Sequence, residues 1–271
     1  MPAVSDIYYF AHEAEDHTSK RPPVLLLHGA GGNYLSWPPQ IRRLAGQRVF
    51  AIDLPGHGKS EGMGRHSIDE YADDVFRFMK LMKLRAAMVV GISMGSAIAL
   101  QCALKTPKKV LGLVLMGGGA KLRVAPGILD SLRNQTLYES TVNQINENCF
   151  GPEASPRLKE LSRQTMLQLR PSVLLGDYLA CDQFDLTEQV GEIKTPTLVV
   201  CGREDKMAPL KYSEALRDSI AGAALQVVED AGHMVMAEQP IVVAEMLSHF
   251  IDSLPAKTKS RVPRKAVRPA R

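Results

Sequence analysis

Residues 88–100 read Met88-Val89-Val90-Gly91-Ile92-Ser93-Met94-Gly95-Ser96-Ala97-Ile98-Ala99-Leu100. An apolar run rich in β-branched residues ends at Gly91, and good helix formers begin at Ser96. Between them stands the pattern Gly-x-Ser-x-Gly, Gly91 to Gly95. A strand that turns at once into a helix brings the two backbones too close for side chains, which is why glycines flank the serine. The serine sits on the strained turn with its hydroxyl thrust into a cleft. The helix N-terminus beside it favours developing negative charge. Taken alone the pattern is common. A strand before it and a helix after it make Ser93 a candidate nucleophile.

Outward from this stretch, short apolar runs alternate with helical patterns. The runs 7–11, 24–27, 49–52, 88–91, 110–116, 197–201 and 225–228 read as strands. Ser67-Ile68-Asp69-Glu70 opens a helix, with an N-cap hydroxyl and an acid three residues later. It runs to about residue 82, with Tyr71, Val75, Phe78, Met79 and Met82 on one side. A second helix follows Ser93 and ends near Thr106-Pro107, and two more cover 209–220 and 240–254. This alternation predicts an α/β fold, a mostly parallel sheet with helices on both faces, whose ligands bind beyond the carboxyl ends of the strands.

Between 120 and 193 the strand signal vanishes. Leu129, Leu132, Leu137, Leu158, Leu161, Met166 and Leu169 recur at helical spacing, interrupted at Gly151-Pro152 and Arg170-Pro171. The expected organisation is therefore a core of residues 1–119 and 194–255, a helical cap at 120–193 and a basic tail at 256–271.

The 271 residues are 45% hydrophobic and 23% charged, which excludes a disordered chain. The net charge of +4 is misleading, because residues 257–271 hold seven Lys and Arg and no acid. Without them 26 basic residues face 29 acidic ones, so the body is mildly acidic and no nucleic-acid partner is expected. Cys102, Cys149, Cys181 and Cys201 form no Cys-x-x-Cys pair and show no metal-ligand spacing with histidine. The first twenty residues lack a basic segment followed by an apolar one. No apolar run approaches the ~20 residues that span a bilayer. The expectation is a cytoplasmic monomer or homodimer with reduced thiols, no membrane span, no metal and no cofactor.

A serine nucleophile needs a base, and the base needs an orienting acid. The strand at 197–201 is followed by Gly202-Arg203-Glu204-Asp205, and the strand at 225–228 by Glu229-Asp230-Ala231-Gly232-His233. Both loops fall on the rim that carries Ser93, in the order Ser, Asp, His. His233 is the candidate base and Asp205 the candidate acid, with Glu204 and Asp230 as rivals. Donors for a developing oxyanion are expected from the backbone N–H of Met94 and of Ala30, the latter in Leu27-His28-Gly29-Ala30-Gly31-Gly32-Asn33. That loop has neither Gly-Lys-Ser/Thr nor Gly-x-Gly-x-x-Gly, which argues against nucleotide binding. Trp37, Met94, Met207, Met234 and Met236 fall near the predicted rim, and Trp37, Met207 and Met234 are the candidate substrate contacts. Arg123 or Arg157 of the cap would serve an anionic substrate.

These residues carry a family resemblance. His28-Gly29-Ala30-Gly31-Gly32, Ser36-Trp37, Asp53-Leu54-Pro55-Gly56-His57-Gly58-Lys59-Ser60, the Gly91-to-Gly95 turn, the Gly202/Asp205/Pro209 loop and Gly232-His233 with Glu238-Gln239-Pro240 together resemble the α/β-hydrolase superfamily, over about residues 7–254. The chain is similar to small monomeric serine carboxylesterases with a short helical cap, including those acting on pimeloyl esters. The resemblance implies that Asp53 and His57 shape loops. Some members place the acid after the strand that precedes the cap, but here that position reads Gly117-Gly118-Gly119, which favours Asp205. The antiparallel edge before the His-Gly strand is expected to be trimmed, since only about twenty residues precede it.

A serine at the turn sets the chain apart from haloalkane dehalogenases and epoxide hydrolases, which use aspartate. The family's C–C bond hydrolases carry a tryptophan soon after the histidine, whereas His233 is followed by Met234-Val235-Met236. The expected activity is that of a serine carboxylesterase acting on small to medium esters through an acyl-enzyme. A cofactor-free perhydrolase, a thioesterase or a lactonase on the same triad are the alternatives. A C–C bond hydrolase ranks below these, and a ligand-binding receptor with little turnover is the reading from another class.

Overall fold

The structure, a computed structural model, describes residues 3–13 and 21–254; the predicted basic tail at 256–271 lies outside them. In chain order the elements are β1 (Ala3–Val4), β2 (Ile7–His12), β3 (Val24–Leu27), α1 (Pro39–Arg42), β4 (Val49–Ile52), α2 (Ile68–Leu81), β5 (Ala87–Ile92), α3 (Met94–Lys105) and β6 (Val110–Met116). There follow α4 (Pro126–Arg133), α5 (Tyr138–Asn148), α6 (Pro156–Leu167), α7 (Pro171–Gln183), β7 (Thr197–Gly202), α8 (Leu210–Ser219), β8 (Ala224–Val228), α9 (Val235–Glu238) and α10 (Pro240–Ser253).

The strands form one eight-stranded sheet in the order β1-β2-β4-β3-β5-β6-β7-β8. From β4 to β8 every pairing is parallel, and β1 and β2 add an antiparallel edge. The edge is thus not trimmed as expected. The hairpin at Ser5, with φ +58, folds back a two-residue strand that is too short to carry a sequence signal.

The central strands β3, β4, β5 and β7 are buried along their whole length, as a sheet covered on both faces requires. Alternate residues serve opposite layers. Leu25 and Leu27 pack with α2 and α3, while Val24 and Leu26 pack with α1 and α10. Ser67 caps α2 by accepting from Glu70 N at 3.2 Å, an interaction worth about 1 kcal/mol. The helices α4 to α7 lie between β6 and β7 and share an apolar cluster of their own, around Val142, Phe150, Val173 and Leu174. Leu137 and Leu161 stand apart from the expected pattern; they are 43% and 54% exposed. The chain leaves and re-enters the sheet layer through a narrow neck, where Lys121 bridges Asp185 in antiparallel fashion and Leu186 N donates to Ala120 O at 2.7 Å.

Candidate active site

Ser93 links β5 to α3 with φ +56 and ψ −118, a region that L-residues avoid. The local sequence explains how this conformation is held. A Cβ at Gly91 would lie 2.0 Å from Gly95 O, and one at Gly95 would lie 2.2 Å from Leu27 O. Strand, turn and helix therefore touch through bare backbone. Ser93 N donates to Met116 O on the neighbouring strand at 2.9 Å, and Ser93 O accepts from Ser96 N at 2.9 Å, which ties the turn down on both sides. The hydroxyl faces a cavity and has no hydrogen-bond partner among the described residues.

His233 follows β8 and Asp205 follows β7, both buried, at 4% and 6% exposure. His233 Nδ1 lies 2.9 Å from Asp205 Oδ2 and 3.1 Å from Oδ1. Asp205 Oδ1 also accepts from Met207 N at 2.9 Å and Ala208 N at 2.8 Å, which fixes the carboxylate in its loop. A carboxylate on Nδ1 sets the tautomer that leaves Nε2 as an acceptor. Of the rival acids, Glu204 accepts from Ala231 N at 3.0 Å and so braces the histidine loop, while Asp230 sits exposed in a left-handed turn with φ +53. Gly117, with φ +49, makes room for the pair: a Cβ there would lie 2.8 Å from His233 Nδ1 and 3.2 Å from Asp205 Oδ2.

Ser93, His233 and Ala30 line a cavity of about 340 Å³ between the sheet's rim and helices α5 and α6. A smaller recess of about 90 Å³, bounded by Gly117, Gly118, Gly119 and Tyr212, opens on the same serine and histidine. The larger lobe is apolar, with Ile145, Phe150, Leu158 and Met166 contributed by the inserted helices. Exposed Leu35 and Leu161 lie at its mouth. Ala30 lines both lobes, and Met94 directly follows the serine that also lines them. Met94 opens α3, where its N–H has no intrahelical acceptor, and no described protein acceptor takes either Met94 N–H or Ala30 N–H.

The candidate substrate contacts divide. Met207 and Met234 line the larger lobe. Trp37 does not: it is fully buried in the layer with Ile41 and Leu44, while its neighbours Ser36 and Pro38 face the cavity. The turn that follows Asn33 rotates the indole away from the rim. Met94 and Met236 are likewise core residues. Arg123 borders the small recess, whereas Arg157 lines neither lobe.

Two carboxylates escaped the sequence reading. Glu238 accepts from Gly232 N at 3.0 Å and Gly151 N at 2.8 Å, so it clasps the histidine loop to the insertion; burial raises its pKa. Asp177 on α7 is fully buried and accepts from three core segments: Gly31 N at 3.0 Å, His57 Nε2 at 2.7 Å and Tyr71 Oη at 2.6 Å. Next to it His28 donates from Nδ1 to Gly29 O and accepts Leu54 N, and burial together with nearby His57 pushes its pKa down to about 3. Asp177 bears no local motif, and Glu238, although it stands in the Glu238-Gln239-Pro240 stretch, shows its role only through Gly151, 87 positions away.

The serine turn, the buried imidazole–carboxylate pair and the inserted helices over the sheet's carboxyl rim define an α/β-fold hydrolase. The chain belongs to the family described as "alpha/beta hydrolase fold", which matches residues 22–240. It is 30% identical to a putative carbamate hydrolase of Azorhizobium caulinodans, over 91% of this chain and 95% of that protein. Among solved structures it is similar to a thermophilic esterase, at 33% identity and TM-score 0.77, covering 91% of this chain and 98% of the other. It is also similar to an enzyme described as degrading N-acyl homoserine lactones, at 28% identity and TM-score 0.80, covering 90% and 96%. No helix among the described residues is long and apolar enough to cross a membrane.

Proposed function

We propose that the protein is a serine carboxylesterase that hydrolyses small to medium esters through an acyl-enzyme on Ser93. The observation that carries this reading is that a serine at φ +56 lines one cavity with His233, whose Nδ1 is paired to buried Asp205 behind it. Ser93 Oγ attacks the ester carbonyl while His233 Nε2 takes its proton, and Asp205 holds the imidazole and offsets its charge. The serine–histidine hydrogen bond closes as the substrate arrives, a tightening expected in unliganded sites. Ala30 N–H and Met94 N–H receive the oxyanion, and no acceptor among the described residues takes either. His233 then returns the proton to the leaving alcohol. Water repeats the sequence, releasing the acid and restoring the serine.

The two lobes suit the ester's two halves. The acyl chain enters the apolar lobe of about 340 Å³ under the helical cap. The alcohol half faces the recess of about 90 Å³ beside Gly117, Gly118 and Gly119. Three of the similar proteins are named for an esterase, a lactone-degrading and a putative carbamate hydrolase activity, which supports cleavage beside a carbonyl group. Four buried, unpaired cysteines suit a reducing compartment, and we assign the enzyme to the cytoplasm.

A panel of p-nitrophenyl esters from acetate to palmitate tests the reading, run beside Ser93→Ala. Turnover is expected to be best from about C2 to C8, as a pocket of this size accommodates, and to vanish in the variant. Turnover only of lactones or thioesters would replace the carboxylesterase assignment, halide oxidation with peroxide and acetate would mark a perhydrolase, and no turnover with any of them would support a receptor.

A further inference from the structure

The Asp177 cluster is not used by the chemistry above, yet it reaches the loop that supplies one oxyanion donor. Asp177 Oδ2 accepts from both Gly31 N and His57 Nε2, and Oδ1 from Tyr71 Oη. Each partner is itself held. His57 Nδ1 faces Pro55 O at 3.1 Å, and Tyr71 Oη accepts from Arg65 N at 3.0 Å. Gly31 adopts φ +69 directly beneath the insertion, where a Cβ would lie 2.8 Å from Leu174 Cδ1 and 2.9 Å from Met166 Cγ. The preceding loop packs on the nucleophile, since a Cβ at Gly29 would lie 3.1 Å from Ser93 Cβ. A buried ion pair gains little stability over apolar packing of the same volume. Leu174 and Val173 already meet the core loops by apolar contact, since a Cβ at Gly31 would lie 2.8 Å from Leu174 Cδ1 and one at Gly64 3.0 Å from Val173 Cγ1, so the carboxylate adds geometry more than adhesion.

We propose that Asp177 is a positioning residue for the oxyanion loop: from α7 it holds Gly31 N–H, and with it the Ala30–Gly31 peptide, so that Ala30 N–H stays free beside Ser93. The proposal rests on the acyl-transfer reading above. The oxyanion donor is thereby set by the helical insertion and not by the sheet alone. Losing Asp177 weakens binding of the tetrahedral adduct and leaves ground-state binding nearly untouched.

The test compares Asp177→Ala, Asp177→Asn and Tyr71→Phe in the full chain. It reads kcat and KM for p-nitrophenyl butyrate and Ki for an alkyl trifluoromethyl ketone, which forms a tetrahedral adduct with a serine. Deleting an oxyanion donor costs about 10²–10³ in kcat, and a misplaced donor should cost less, so Asp177→Ala is expected to lower kcat ~30-fold and raise Ki by a similar factor, with KM within about 3-fold. Asp177→Asn keeps a carbonyl oxygen for Gly31 N and is expected to restore most of the loss. Tyr71→Phe removes a donor from the same carboxylate but leaves the Gly31 bond, and is expected to change stability without moving kcat or Ki. Where the alanine variant does not fold, Asp177→Ser, which admits a water towards His57 and Tyr71, gives the same readout. A folded alanine or serine variant with wild-type kcat and Ki would overturn the proposal, as would Tyr71→Phe matching the loss. A wild-type enzyme without ester turnover would instead defeat the acyl-transfer reading itself.

Discussion

Gly117→Ala probes the site through a position that carries no functional group. A methyl there would lie 2.8 Å from His233 Nδ1 and 2.9 Å from Cε1. Ordinary contact is about 3.5 Å or more, so the imidazole must move by roughly 0.5–1 Å. A displacement of that size at a reacting group costs about 10²-fold in rate, or about 2.7 kcal/mol of barrier. The backbone adds a separate penalty, since an L-residue at φ +49 costs roughly 1–2 kcal/mol. For a chain of this size that lowers Tm by roughly 2–8 °C. Gly222→Ala separates the two effects, because Gly222 has φ +79 and a Cβ there would meet nothing within 4 Å. Steady-state hydrolysis of p-nitrophenyl butyrate, paired with a thermal melt, reads both. Gly117→Ala is expected to lose about 10²-fold in kcat with little change in KM, and Gly222→Ala to lose only stability. If Gly117→Ala melts as expected but keeps full kcat, the Asp205–His233 pair is not the working machinery.

Three further outcomes follow from particular contacts. Asp205→Asn keeps an acceptor for Met207 N and Ala208 N but disfavours the required tautomer of His233, so kcat should fall about 10⁴-fold, the size seen for the equivalent change in a serine protease, while the melt stays close to wild type. His57 is pulled down by burial, but the Asp177 charge and hydrogen bond and Pro55 O outweigh this and leave its pKa raised above 6.5. Folding therefore favours the protonated form, so its stabilisation should be fully present below about pH 6.5 and be lost as pH rises through the raised folded value; urea melts across that range should show the decline in wild type and not in His57→Phe. Trp37 is fully buried away from the cavity with its Nε1 unpaired, so Trp37→Phe should leave KM across the ester panel within about 2-fold, changing only the melt, whereas a selective loss of long-chain esters would restore it to the pocket.

Features dictated by local backbone sterics were legible in the sequence. Gly91, Ser93 and Gly95 announce a turn because a Cβ at either glycine would strike backbone within 2.2 Å, a demand that residue type alone can meet. Strand ends and chain order then bring Asp205 and His233 to the same rim, since a parallel sheet puts every strand's carboxyl end on one side. What was not legible depends on directions and distant partners. Trp37 lies at the right place in the chain but faces the opposite layer from Ser36 and Pro38. Asp177 lies 146 positions from Gly31, and Glu238 lies 87 positions from Gly151, so no spacing rule links them. Of the cavity wall, α6 was visible only as helical periodicity at Leu158, Leu161 and Met166, and α5 carried none of the periodic positions; which residues of each helix line the cavity was fixed by how the insertion docks.

The central claim is that Ser93 forms a covalent acyl-enzyme, and intact-mass spectrometry after reaction with an alkyl fluorophosphonate tests it most directly. One adduct per chain is expected, mapped by peptide digestion to Ser93, with loss of ester turnover in proportion to labelling and no adduct in Ser93→Ala. Turnover that persists in the fully labelled protein, or an adduct that maps to another residue and abolishes activity, would contradict it.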